Sequence, residues 1–197
     1  YDNSIYFSKL SAEKSSIIND LDIENESFIL ATVHRNDNTD DPVKINELFA
    51  TFIKITELHN IKIIIPLHPR TEKMMIKLLN ADIKSKLDNS NLLKIIPPAS
   101  FLDIIALEKN SSLVITDSGG VQKEAYFFKK PCIILRPQTE WVEIVETKSA
   151  VIADTDSNLI LKSTEDFLNN KNLVFPTIFG DGNASNFIAS ELINQFS

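Results

Sequence analysis

Two of the four glycines in this chain are adjacent, inside Thr116-Asp-Ser-Gly-Gly-Val-Gln-Lys-Glu-Ala125, directly after the apolar run Leu113–Thr116. A strand, a Ser-Gly-Gly turn and the start of a helix let backbone approach a phosphate with no Cβ in the way. The free N–H groups and the dipole at the helix N-terminus then favour negative charge. Ser118, Gly119 and Gly120 therefore read as a diphosphate cradle, with a plain helix cap at Ser118 as the simpler alternative. Glu124 lies one to two turns into that helix, where a carboxylate can reach back and accept hydrogen bonds from two sugar hydroxyls of a nucleotide. The segment is neither a Walker loop nor a G-x-G-x-x-G fingerprint, so P-loop and NAD readings lose support.

The three arginines are distributed unevenly. Arg35, Arg70 and Arg136 each follow a candidate strand at once or within a few residues, and two of the three histidines, His34 and His68, share those positions. Residues beyond the carboxyl ends of strands line the ligand crevice of open α/β sheets. Planar, multidentate donors gathered there suit an anion. His34 and Arg35 open a polar loop, Asn36–Pro42, whose Asp40-Asp41 pair reads as a helix start. His59 ends a helical stretch and carries no role. The isolated histidines and the absence of paired cysteines leave no metal-ligand spacing, and no G-x-S-x-G elbow occurs. The lone Cys132 sits in an apolar run and reads as a small buried thiol.

The elements that must carry these residues alternate. Six short apolar runs, Phe28–Val33, Ile61–Leu67, Leu92–Ile96, Leu113–Thr116, Cys132–Leu135 and Ala150–Ala153, read as strands. Between them Val43–Leu58, Glu72–Leu87, Phe101–Glu108, Val121–Phe128 and Leu159–Leu168 carry apolar residues at helical spacing. Such alternation implies parallel pairing through right-handed crossovers, with both faces of the sheet covered. The expectation is a doubly wound, mostly parallel, six-stranded Rossmann-like α/β domain over residues 1–197, with a leading helix in residues 1–21 (Ser4–Leu21) and a terminal helix over 184–197. A length of 197 residues, 43% of them hydrophobic and 24% charged, fits one domain or half of a two-domain enzyme. Twenty basic against 27 acidic side chains, a net charge of −7, argue against a nucleic-acid surface built on bulk positive charge. No apolar stretch approaches the roughly 18 residues that span a bilayer, and the first residues lack the form of a signal peptide, so the cytoplasm is expected. A start without Met, directly in a helical pattern, suggests a piece cut from a longer protein.

Thr32-Val-His-Arg35 with Asn38-Thr-Asp-Asp-Pro42, Pro66-Leu-His-Pro-Arg-Thr71, Thr116–Ala125, Lys130-Pro131, Leu135-Arg136 and Thr139-Glu-Trp-Val-Glu143 together resemble the non-hydrolysing UDP-N-acetylglucosamine 2-epimerases. The resemblance implies the C-terminal half of an enzyme with two Rossmann-like domains (the GT-B arrangement), the N-terminal half with the proton-transferring carboxylates lying outside this chain. It implies that Ser118, Gly119 and Gly120 hold the diphosphate of UDP-GlcNAc or a related UDP-HexNAc, that Glu124 takes the ribose hydroxyls, and that backbone around Pro98–Ile104 meets the uracil. Arg136 is a further UDP-binding candidate, and Arg35 and His68 are candidates for a phosphate contact or a second UDP-sugar site. His34 would lie beside the phosphates as the catalytic residue. The reaction would invert C2 by anti elimination of UDP to a glycal and re-addition to the other face, with no nicotinamide or metal, in a homodimer. Asn36-Asp37 after His-Arg, Ile104 near the base and Trp141 in place of arginine depart from the common pattern and suggest a subgroup acting on modified sugars such as a diacetamido glucuronic acid. A UDP-sugar glycosyltransferase half and a non-catalytic nucleotide-sugar binding module remain the alternatives.

Overall fold

The apolar runs become strands because β-branched and aliphatic side chains pack well on a pleat that is buried on both sides. The structure, a computed structural model, describes residues 1–196. In chain order the elements are α1 (Asp2–Lys14), α2 (Ile17–Asp20), β1 (Phe28–Thr32), α3 (Asn36–Thr39), α4 (Pro42–His59), β2 (Lys62–Pro66), α5 (Pro69–Leu78), α6 (Ala81–Asp88) and β3 (Leu93–Ile96). Then follow α7 (Phe101–Asn110), β4 (Leu113–Thr116), α8 (Gly119–Phe127), β5 (Cys132–Ile134), α9 (Val142–Glu146), β6 (Ala150–Ile152), α10 (Ser157–Asn169) and α11 (Ala184–Phe196). Every expected strand forms, each within a residue or so of its expected ends.

The six strands make one sheet in the order β3-β2-β1-β4-β5-β6, and every pair is parallel. From β1 the chain winds outward through β2 to β3, then returns to lay β4 on the other side of β1 and winds outward again. The strand order reverses between β1 and β4, which is where a doubly wound sheet opens its ligand crevice. Their register aligns Thr32 with Thr116, and the two buried hydroxyls bond at 2.6 Å.

Alternate residues of each strand serve the two faces. Ile29, Ala31, Ile63, Ile65 and Ile115 pack with Leu48, Phe49 and Phe52 of α4, Met75 of α5, Leu87 of α6 and Phe167 of α10. On the other face Val114, Cys132 and Ile134 meet Tyr126 of α8 and Ile144 of α9, while Leu30 and Ile64 meet Leu107 of α7. Helix α4 starts as its sequence signals: the Asp41 carboxylate accepts from the N–H groups of Val43 at 2.8 Å and Lys44 at 3.2 Å.

Three expectations need correction. The stretch Glu72–Leu87 is two helices, because Leu79 and Asn80 are extended and the side chain of Asn46 on α4 accepts from the Asn80 N–H and donates to the Leu78 carbonyl, both at 2.8 Å. That one amide satisfies two of the groups which a helix break leaves open. The leading helix likewise breaks at Ser15, whose hydroxyl bonds to Asp103 at 2.5 Å. The polar loop after β1 contains the single turn α3. The terminal helix forms from Ala184 to Phe196, and Ser197 lies outside the described residues.

Candidate functional site

Asp117 follows β4 and is completely buried. A buried carboxylate is tolerated only when hydrogen bonds disperse its charge, and here the loop after β1 supplies them. Asp117 accepts from the backbone N–H of His34 at 3.0 Å, from that of Arg35 at 3.0 Å and from the Asn38 amide at 3.1 Å. The His34 Nδ1 lies 3.3 Å from its Oδ1. Asn38 also donates to the Leu135 carbonyl at 2.9 Å, so one side chain ties the ends of β1, β4 and β5 together. The ring of His34 is thereby held by Nδ1, which leaves Nε2 as its free nitrogen. Neither Asp117 nor Asn38 was assigned a role in the sequence. The available signal was a charged residue ending a wholly buried strand.

Ser118 is the N-cap of α8, and its hydroxyl makes no capping bond. Its N–H donates to the Thr116 hydroxyl at 2.9 Å. Neither Gly119 nor Gly120 has a positive φ. A Cβ on Gly120 would meet only the Ser118 hydroxyl, at 3.9 Å. The fold therefore does not require glycine at 120, and what glycine leaves there is open space before the first turn of the helix. A Cβ on Gly119 would instead overlap the carboxylate of Glu140.

That carboxylate shows what the place attracts. Arg136 holds Glu140 at 2.6 Å, and Arg35 adds its field. Glu140's own backbone N–H, followed by the Arg136 guanidinium, keeps its carboxyl below the usual range. Two arginines and a helix N-terminus thus surround an internal anion. Arg70 does not join them, because it pairs with Asp40. Trp141 braces the cradle from behind: its indole N–H donates to the Gly119 carbonyl at 2.8 Å, and the Lys123 ammonium lies 4.1 Å over its ring.

Beside the cradle lies a largely apolar cleft of about 250 Å³ lined by His34, His68, Pro98, Ala99, Ile104 and Val121, among others. His34 and His68 therefore face one space. His68 also caps α5, its Nδ1 accepting from the Arg70 N–H at 3.2 Å. Glu124 is half-buried on α8 and faces the fully buried Glu108 of α7, and burial raises both carboxyl pKa values, that of Glu108 strongly. The Cys132 thiol is buried and pushed far up by desolvation, as befits a packing residue. Among the described residues no three His, Cys, Asp or Glu side chains cluster as a metal site would need.

An all-parallel, doubly wound sheet with a Ser-Gly-Gly turn at its switch point defines a Rossmann-like α/β protein. The family model described as UDP-N-acetylglucosamine 2-epimerase matches residues 2–193, and the chain belongs to that family. It is 40% identical over 98% of its length to a UDP-N-acetylglucosamine 2-epimerase homolog of Methanococcus maripaludis, covering 52% of that protein. It is 38% identical to the UDP-2,3-diacetamido-2,3-dideoxy-D-glucuronate 2-epimerase of Pseudomonas aeruginosa, over 85% of this chain and 44% of that one. The Methanocaldococcus jannaschii UDP-GlcNAc 2-epimerase, solved in complex with UDP-GlcNAc and UDP, superposes with a TM-score of 0.84 at 30% identity, over 98% of this chain and 52% of that one. The chain spans about half the length of the curated relatives it matches and corresponds to their C-terminal half.

Proposed function

We propose that this chain is the UDP-binding half of a non-hydrolysing UDP-HexNAc 2-epimerase. The observation that carries the reading is the convergence, at the carboxyl ends of β1, β4 and β5, of a Ser-Gly-Gly turn, two arginines and a histidine anchored by a buried carboxylate. In this reading the first turn of α8 takes the diphosphate, with Ser118, Gly119 and Gly120 donating and Arg35 and Arg136 neutralising. Arg136 must then exchange Glu140 for phosphate oxygens. Glu124 accepts the ribose hydroxyls, the Pro98–Ile104 wall receives the uracil, and His68 closes the phosphate side of the cleft.

The chemistry removes the C2 hydrogen as a proton to a carboxylate of the N-terminal half. The C1–O bond breaks with its electron pair passing to the β-phosphate oxygen, and UDP re-adds to the glycal after a proton arrives on the other face. Charge grows on the departing diphosphate, so donors placed there stabilise the transition state more than the ground state. His34, its Nδ1–H held by Asp117, is placed to do this through Nε2–H as an imidazolium. The likeness to a diacetamido-glucuronate epimerase supports a modified sugar as well as UDP-GlcNAc as substrate. Action in the cytoplasm as a homodimer, and inactivity of this half alone, belong to the same proposal. The test is incubation of the complete enzyme with UDP-GlcNAc in deuterated water. Epimerisation carries deuterium into C2, whereas a glycosyltransferase or a binding module leaves C2 unlabelled, and an unlabelled C2 with every UDP-HexNAc offered rejects the proposal.

A further inference from the structure

Glu108 sits near the C-terminal end of α7 with its side chain wholly inaccessible to solvent, and neither carboxyl oxygen meets an N–H or hydroxyl donor. The group within hydrogen-bond reach is another carboxyl, that of Glu124 on the adjoining α8. Two carboxylates this close in a buried place do not both ionise. A single proton between them turns the repulsion into an O–H···O bond. Burial raises both carboxyl pKa values, that of Glu108, the more deeply buried of the two, more strongly. The titratable groups facing Glu108 are Glu124 from α8 and the Cys132 thiol from β5, and among the described residues no cation offsets its charge. Lys123, next to Glu124 in sequence, is committed to the rings of Trp141 and Phe179.

We propose that Glu108, as a neutral acid, is a positioning residue of the nucleotide site: its O–H holds the Glu124 carboxylate in the orientation from which it accepts two ribose hydroxyls. The inference rests on the ribose-binding reading of Glu124 given above. A flexible glutamate that must be ordered at binding loses affinity to that ordering, whereas one already held does not. Raising the pH through the elevated pKa of Glu108 removes the shared proton, sets two carboxylates against each other and turns Glu124 away. Recognition of the ribose therefore weakens on the alkaline side, and a ligand without the 2′-hydroxyl is affected less.

The test is titration calorimetry of the 197-residue chain with UDP and with 2′-deoxy-UDP across pH, for the wild type and for Glu108→Gln, Glu108→Leu and Glu124→Ala. Taking the ratio of the two affinities cancels titration of the ligand's own phosphate. One charge-assisted hydrogen bond corresponds to roughly a tenfold preference for UDP or more. We expect Glu124→Ala and Glu108→Leu both to collapse that preference, the wild type to lose it as pH rises, and Glu108→Gln, whose amide donates at every pH, to keep it throughout. Retained preference in Glu108→Leu alongside its loss in Glu124→Ala overturns the role of Glu108 and leaves that of Glu124 standing. Retained preference in Glu124→Ala overturns the ribose reading itself, and the proposal with it. Should Glu108→Leu fail to fold, the pH profile of Glu108→Gln decides, because a profile that falls as the wild type's does excludes the shared proton. Failure of both nucleotides to bind removes the site.

Discussion

His34 was legible from its type and place, since a histidine directly beyond a strand in an open α/β sheet faces the crevice. Asp117 was not, because its meaning comes from donors on a loop about 80 residues away that only folding brings to it. The same is true of Glu108, whose neighbour Glu124 is brought to it only when α8 packs against α7. The pairing of Asp117 with His34 separates two kinds of effect. His34→Ala removes a donor whose partner gains charge as the C1–O bond breaks, so we expect kcat of the complete enzyme to fall at least about tenfold with UDP affinity changed less. Asp117→Asn sets an amide against N–H donors in a buried place, so it should cost about 3 kcal/mol of stability as well as activity. Melting temperature measured with kcat per folded site checks both. A normal kcat in folded His34→Ala would assign the ring to structure alone.

Among the elements, α8 is where the fold and the site make different demands. The Ser-Gly-Gly turn was readable as a helix start, but whether the glycines serve backbone geometry or a ligand was not, because both give the same letters. The structure separates them by the space each glycine leaves. Gly120 has ordinary helical backbone and room for a methyl group. Gly120→Ala should therefore leave the melting temperature unchanged or raise it slightly, alanine being favoured over glycine in a helix by about 0.5–1 kcal/mol. The methyl group would stand where the diphosphate is to approach, and UDP affinity should drop tenfold or more. Calorimetry beside thermal melting checks it, and full affinity in the alanine variant would move the diphosphate off this turn. Elements that the sequence obscured share a cause. The break between α5 and α6 depends on Asn46 of a third helix, and the single turns α3 and α9 are too short to leave a period.

At the scale of the molecule, parallel pairing in a doubly wound sheet followed from alternation and apolar strands, while the strand order and the facing of helices against one another did not. Helix α11 shows the limit: it has helical spacing, yet it buries none of its residues and leaves Phe187, Leu192 and Ile193 more than half exposed. Removing residues 184–197 should therefore shift the melting temperature of the chain by no more than a few degrees, and a collapse of the fold would show contacts beyond those seen. Stability should also carry the imprint of the acid pair. Burial, then the charge of Glu124, raises the Glu108 pKa well above 4.5, so the folded chain binds more protons than the unfolded one between that value and the raised pKa. Stability from this group is complete below the unfolded pKa and is lost as pH rises through the folded one. Asp103 and Glu140 act in the opposite sense, since hydrogen bonds lower their pKa values and their contributions vanish only in acid. Glu108→Gln leaves those acid-limb terms in place and removes the alkaline one. Its unfolding free energy, followed by denaturant titration at stepped pH, should decline less than that of the wild type from pH 4.5 upward, and parallel curves would mean that Glu108 is ionised in the folded chain.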